Sequence, residues 1–366
     1  MKKTSALGVV GFIASFSASF AQAQSVTIYG VLDQAVEHVS NVAGGGGINR
    51  LPSLTGSVPS RLGFRGAEDL GGGLRAIFTL EQGFSVDTGT LGQGGRAFGR
   101  QAFVGLSGNW GTVSLGRQYT MLFWSILDAD ILGPNLYGTG SLDSYIPNAR
   151  ADNSVTYRGT FSGFTVGATY SLGRDAVNAG PSPAGTNCPG ENSADKGACR
   201  EWSALAKYDS AKWGAALAVD TIKGGAGAFA GLTSSALQDQ RISANGYVKF
   251  GDAKLALGLI RRDNEGSVVT PKSDLWYLSG AYAVTPLLTL DGMVSTLKFK
   301  NSANKATLVG LRGTYSLSKR TAIYATAGHI ANDGALALSV SSGQPGSNPA
   351  AGAGQSALAA GIRHSF

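Results

Sequence analysis

Only three histidines, His38, His329 and His364, and two cysteines, Cys188 and Cys199, occur in the 366 residues. Nucleophilic catalysis needs a nucleophile with a base in reach. Neither a GxSxG nor an HExxH pattern supplies one. The cysteine spacing matches neither a CxxC redox pair nor a zinc site. What recurs instead is fixed charge on alternating positions. Arg61, Gly63 and Arg65 share one face of a short run, and Leu62 and Phe64 the other. Arg241, Ser243, Asn245 and Lys249 oppose Ile242, Ala244, Val248 and Phe250. Lys254, Gly258 and Arg262 oppose Leu255, Leu257 and Leu259. A face that carries unpaired Arg and Lys cannot be a dry core, because buried unpaired charge is too costly. The chemistry on offer is electrostatic: fixed cations facing water, with an apolar surface on the other side.

Such faces belong to strands, where side chains alternate with period two. The last stretch, SALAAGIRHSF, shows the pattern well. Leu358, Ala360, Ile362, His364 and Phe366 lie on one face, and Ala357, Ala359, Gly361, Arg363 and Ser365 on the other. A strand that is apolar outside and wet inside suits a transmembrane β-barrel, and the closing aromatic suits its membrane interface. On this pattern His364 should face lipid or the interface.

The opening residues form a secretory address over 1–23. Lys2 and Lys3 make a basic start, Leu7 to Phe20 an apolar run, and Ala21-Gln22-Ala23 a small-x-small cleavage site. The run is shorter than the roughly 20 residues that span a bilayer as a helix. Residues 24–366 are then the exported domain. Their composition agrees. Charged residues make up 14% of the chain, against roughly 25% in soluble domains. Glycine is abundant at 54 residues, and mean hydropathy is +0.04. The net charge of +7 is too small and too scattered to argue for nucleic acid. Cys188 and Cys199 sit close together in a Gly/Pro/Asn-rich stretch, and in an oxidising compartment they read as one disulfide.

Candidate strands come in pairs joined by short turns, at Gly71-Gly72-Gly73, Asn109-Trp110, Ser162-Gly163, Asp209-Ser210-Ala211, Gly251-Asp252, Pro286 and Lys319-Arg320. Long polar stretches separate the pairs, at 40–58, 87–97, 120–150, 173–200, 223–238, 264–273, 300–305 and 332–355. Short turns at one end and long loops at the other are the pattern of an outer-membrane barrel. The runs count to about 16, so the fold class is all-β: a transmembrane antiparallel barrel wide enough to leave a wet lumen.

The chain resembles the general diffusion porins of Gram-negative bacteria in their betaproteobacterial form. The likeness runs over essentially all of residues 24–366. It is carried by SVTIYGVLD, SRLGFRGAEDLGGGLRAIFTLEQGF, RQAFVGLSGNWGTVSLGRQYT, NSVTYRGTFSGF, YSLSKRT and the final GIRHSF. The resemblance implies homotrimers and a third long loop folded into the barrel to narrow the pore. That loop is Thr120 to Ala149. Its apolar content (Met121, Leu122, Phe123, Trp124, Ile126, Leu127, Ile131, Leu132) is too high for a segment left in water, so it should pack on the wall.

Within it, the resemblance makes Asp128 and Asp130 the candidate acids of the constriction. The family's frequent Pro-Glu-Phe-Gly segment is absent; Gly133-Pro134-Asn135-Leu136-Tyr137 stands there instead. Arg61, Arg100 and Arg150 match the opposing basic wall, with Arg65 and Arg75 as further members. Asp33 and Glu81 are further candidates to face the lumen. The function implied is passive diffusion of ions and small hydrophilic solutes, with a weak anion preference and no cofactor. The implied partners are outer-membrane lipid and lipopolysaccharide, and the assembly machinery, which would read Phe366. A substrate-specific channel is the nearest rival. A barrel hydrolase and a purely structural or adhesive barrel stand further off.

Overall fold

A computed structural model describes residues 25–52, 56–175, 187–341 and 346–366. The expected signal segment, 1–23, lies outside them. The strands are β1 (Ser25–Val39), β2 (Ile48–Arg50), β3 (Arg61–Gly71), β4 (Leu74–Gly83), β5 (Gln101–Gly108) and β6 (Gly111–Tyr119). They continue as β7 (Arg150–Phe161), β8 (Phe164–Ser171), β9 (Glu201–Asp209), β10 (Trp213–Lys223), β11 (Gln238–Phe250) and β12 (Ala253–Asn264). The last five are β13 (Lys272–Ala283), β14 (Leu288–Phe299), β15 (Lys305–Ser316), β16 (Thr321–Asp333) and β17 (Gln355–Ser365).

Sixteen of these are long and pair antiparallel with their neighbours in sequence. β1 closes the sheet by pairing with both β17 and β3. The result is a closed 16-strand barrel, in which no long strand is left as an edge. The short β2 pairs with the end of β1, from Glu37 to Val39. It falls in a stretch expected to be loop, because three residues carry too little alternation to register.

The exposed side chains explain where the barrel sits. Val26, Ile28, Leu32 and Val36 of β1 are exposed, as are Leu255 and Leu257 of β12 and Trp276 and Leu278 of β13. Their neighbours in sequence, such as Asp33, Glu37, Ala256 and Tyr277, are buried. The apolar face is therefore the outer one, which suits lipid. At the short-turn end it carries exposed aromatics, among them Trp110, Phe161, Phe164, Trp213, Phe250, Tyr282 and Phe366. Among the described residues no helix is long and apolar enough to cross a membrane.

The segment between β6 and β7 holds the one α-helix among the described residues, α1 (Met121–Ile126), and two 3-10 turns, Thr139–Ser141 and Ile146–Asn148. The sequence shows no helical period here. Six residues are too few to show one, and burial rather than propensity makes this turn. Met121 packs with Leu205, Ala216 and Ala218, and Leu122 with Tyr145 and Ile222.

Candidate functional site

The segment 120–149 is fixed to strands on several sides. The Tyr137 hydroxyl donates to Glu37 Oε1 on β1 at 3.1 Å. Ser279 Oγ on β13 donates to the Ala129 carbonyl at 2.7 Å. Arg312 on β15 donates to the carbonyls of Ile131 and Leu132. Arg241 on β11 pairs with Asp143 at 2.8 Å. Burial alone would raise the Asp143 carboxyl, but the guanidiniums of Arg241 and Arg262 overcome it and hold it at about 2. The Tyr145 hydroxyl lies 2.9 Å from Glu201 on β9 and 3.0 Å from Asp220 on β10.

A cavity of about 610 Å³ opens between this segment and one side of the barrel. Six arginines line it: Arg61, Arg65, Arg100, Arg150, Arg312 and Arg363. Among the described residues Glu81 and Asp130 are the only carboxylates in the lining. The strands that carry the first four arginines bring them together as follows. Arg61 opens β3 and faces Gly83 across the ladder to β4. Arg100 immediately precedes β5, and its backbone N–H bonds to the Glu81 carbonyl on β4. The β6–β7 ladder shifts register between Gly116 and Gln118 and then pairs Tyr119 with Arg150. Gly116 has φ +134°, and a Cβ there would meet the Ala102 carbonyl at 2.2 Å, so only glycine fits.

These side chains form one network. Glu81 Oε1 accepts from Arg100 Nε at 2.8 Å, and Oε2 lies 3.7 Å from Arg61 Nε. The Tyr29 hydroxyl donates to Glu81 Oε2 at 3.0 Å. Tyr119 Oη accepts from Arg100 Nη2 at 2.6 Å and from Arg150 Nη2 at 2.8 Å. The Arg150 guanidinium also lies 4.4 Å over the Tyr119 ring, a cation–π contact. Arg65 sits 5.3 Å over the Tyr29 ring. Tyr119 stacks on Phe123 of the segment at 3.9 Å, which ties the basic wall to the loop it faces.

Arg61, Arg65, Arg100, Arg150 and Asp130 therefore meet around one space. Three other candidates do not join them. Arg75 is exposed at the short-turn end, next to the Gly71–Gly73 turn and in register with Asp69. Asp128 pairs with Lys207 on β9 rather than facing the cavity. Asp33 is buried against Ser57, Val58 and Tyr324, accepting from all three. Sequence reasoning passes over Arg312 and Arg363. Alternation points to both: Arg312 opposes the exposed Val309 and Leu311, and Arg363 lies on the small and polar face of β17. Tyr119 carries no signal in sequence, because a phenol gains its place only once the two guanidiniums converge.

Asp130 is buried, and its Oδ2 accepts from Thr139 Oγ1 at 2.6 Å. Burial pushes its carboxyl up to about 6, against the opposing pull of the Thr139 hydroxyl and Arg312. Away from the cavity, Cys188 and Cys199 are joined in a disulfide, both buried, in the stretch between β8 and β9. Among the described residues no group of three or more His, Cys, Asp or Glu is placed to hold a metal.

Comparison with known proteins agrees with this barrel fold. A family model described as Gram-negative porin matches residues 6–335. Outer membrane porin protein 32 of Delftia acidovorans is 31% identical over 391 aligned positions, covering all of both chains. An outer membrane porin protein of Bordetella pertussis is 35% identical over 199 positions, covering 49% of this chain and 51% of that one. Among solved structures, an anion-selective porin from Comamonas acidovorans superposes with a TM-score of 0.75 at 27% identity, over 94% of this chain and all of that one. OmpT of Vibrio cholerae, in its trimer form, shares the fold with a TM-score of 0.64 at 17% identity, over 94% of this chain and all of that one.

Proposed function

The chain belongs to the Gram-negative porin family, and on that premise we propose that its pore is constricted at the arginine-lined cavity and passes small anions more readily than cations. As a porin of the outer membrane it is a diffusion channel, not an enzyme. The finer reading concerns which residues set its preference.

One observation carries it: six arginines face two carboxylates around a space of about 610 Å³. Fixed cations on the wall of a narrow aqueous pore raise the local concentration of anions. Glu81 and Tyr119 bridge the guanidiniums and Tyr29 braces Glu81, so the like charges stay close together despite their repulsion. Segment 120–149 supplies the opposing side and narrows the path. Solutes that cross must be small and hydrated, because the lining offers charge and hydrogen bonds. The anion preference named for the Comamonas acidovorans structure is consistent with this charge balance.

Three further parts belong to the same proposal. Residues 1–23 are a secretory signal removed on export. Three copies assemble as a homotrimer, as the trimer form of OmpT does. The assembly machinery of the outer membrane reads the final strand and Phe366, and the finished barrel sits among phospholipid and lipopolysaccharide. Single-channel recording in planar bilayers tests the central reading. Stepwise conductance with a reversal potential on the anion side in a KCl gradient supports it. Cation preference would refute the assignment of the constriction.

A further inference from the structure

The arginine-lined cavity has two unlike sides. The strands present guanidiniums, but segment 120–149 presents apolar side chains. Phe123, Trp124, Leu127 and Ile131 of that segment line the same space. Leu127 is 42% exposed, and the other three are half-buried. The interior of an outer-membrane barrel is ordinarily polar, and clustered apolar side chains left open to water mark binding surfaces. Trp124 is held firmly in this cluster. The Arg158 guanidinium on β7 lies 3.8 Å from its ring centre. Tyr119 and Phe123 meet it edge-on, at 5.9 and 6.1 Å between ring centres.

The opposite side keeps cations that no carboxylate of the chain takes up. Arg61 and Arg100 pair with Glu81, and Arg312 pairs with Asp291. Arg65, Arg150 and Arg363 have neutral partners instead. Arg65 lies over the Tyr29 ring, Arg150 donates to Tyr119 Oη, and Arg363 donates to Ser57 Oγ at 3.1 Å. Arg150 Nε is buried without a hydrogen-bond partner. A guanidinium with open N–H groups takes a carboxylate through two parallel hydrogen bonds. The volume of about 610 Å³ falls within the roughly 300–1,000 Å³ of small-molecule sites, which combine apolar lining with a few placed polar groups.

We propose that this cavity binds small arenecarboxylates, flat apolar rings bearing one carboxylate, more tightly than hydrophilic anions of the same charge. The carboxylate meets the guanidiniums of Arg65, Arg150 and Arg363. The ring meets Trp124 and Leu127 on the facing side, where aromatic partners favour offset or edge-to-face contact. An anion without an apolar body gains only the first set of contacts, and a neutral ring only the second. Burying about half of a phenyl ring's surface is worth roughly ten-fold in affinity. The inference rests on the anion-preferring constriction proposed above and names the class of anion it selects.

Single-channel recording of the full-length protein in KCl at neutral pH tests it, with benzoate, acetate and benzyl alcohol as probes. Benzoate should interrupt the current saturably, with a half-blocking concentration at least roughly ten-fold below that of acetate. Benzyl alcohol, which has the ring without the charge, should not block. Leu127→Asn and Trp124→Leu should each raise the half-blocking concentration of benzoate several-fold, with heat-modifiable mobility on gels confirming that the barrels are folded. Val268→Ser, on a loop tip where Val268 is 93% exposed, should block as wild type does. Equal block by benzoate and acetate, block by benzyl alcohol, or unchanged block in both folded cavity variants would each overturn the arenecarboxylate site. The wild-type reversal potential in a KCl gradient tests the premise separately. Cation preference there would remove the constriction reading itself, whereas anion preference with equal block by benzoate and acetate would overturn this inference alone.

Discussion

Arg100 Nε lies 2.8 Å from Glu81 Oε1, an ion pair within the lining of the cavity, as Arg312 makes one with Asp291 at 2.8 Å beside it. The pair is buried, with both side chains 6% exposed. Removing one partner of a buried pair leaves the other uncompensated. Glu81→Gln should therefore free positive charge at the constriction. The anion-to-cation permeability ratio should rise about two-fold at low salt, with the effect fading as salt shortens the ~8–10 Å screening length. Reversal potentials in graded KCl check this; an unchanged ratio at low salt would count against Glu81 as part of the lining.

Asp130 should give the pore a pH response. Its carboxyl is pushed up to about 6, chiefly by burial. Above that pH it carries a negative charge facing the arginines; below it the charge is gone. Anion preference should therefore grow as pH falls from 8 to 5. Asp130→Asn should show the low-pH preference at every pH in that range. A wild-type profile that is flat between pH 5 and 8 would show that Asp130 does not face the ion path.

Much of this architecture is legible in sequence because a barrel wall repeats one rule. Alternation marks all sixteen long strands, with Gly71-Gly72-Gly73 and Ser162-Gly163 at their turns. It also sets Arg61 and Arg65 on the wet face. What alternation cannot reveal is level along the barrel axis. Arg75 obeys the same parity as its neighbours but lies at the short-turn rim, because it follows the turn by two residues. Asp128 and Asp130 sit two positions apart on a segment with no period. Only the folded path sends one to Lys207 and the other to the cavity. Alternation turns Arg312 and Arg363 to the wet face, but only barrel closure sets them around the same space as Arg61, Arg100 and Arg150.

The Cys188–Cys199 bridge spans a sequence separation of 11. A loop that short gives about 3 kcal/mol of entropic stabilisation at most, confined to the stretch between β8 and β9. Reduction should leave conductance unchanged and raise protease cleavage near residues 187–200. Mass spectrometry of native protein should show two hydrogens missing and no alkylatable thiol. Two reactive thiols would contradict the bridge.

Phe366 closes the barrel over a glycine. Its backbone N–H and carbonyl exchange hydrogen bonds with Gly30 at 3.1 Å, and a Cβ on Gly30 would fall 2.3 Å from the Phe366 ring. Phe366→Ala should lower the amount of protein inserted, while the protein that does insert conducts normally. Gly30→Ala should lower insertion too, by displacing the ring. Outer-membrane fractionation with heat-modifiability on gels reads both. Normal insertion of both variants would remove the ring from the account.

The arginine wall should set ion preference, and the reversal potential of the Arg61→Ser/Arg100→Ser/Arg150→Ser variant in a KCl gradient at low salt reads this directly. Selectivity should shift toward cations and conductance should increase, because three fixed cations and three long side chains leave the narrowest part of the pore. A variant that keeps the wild-type reversal potential would contradict it and place the constriction elsewhere.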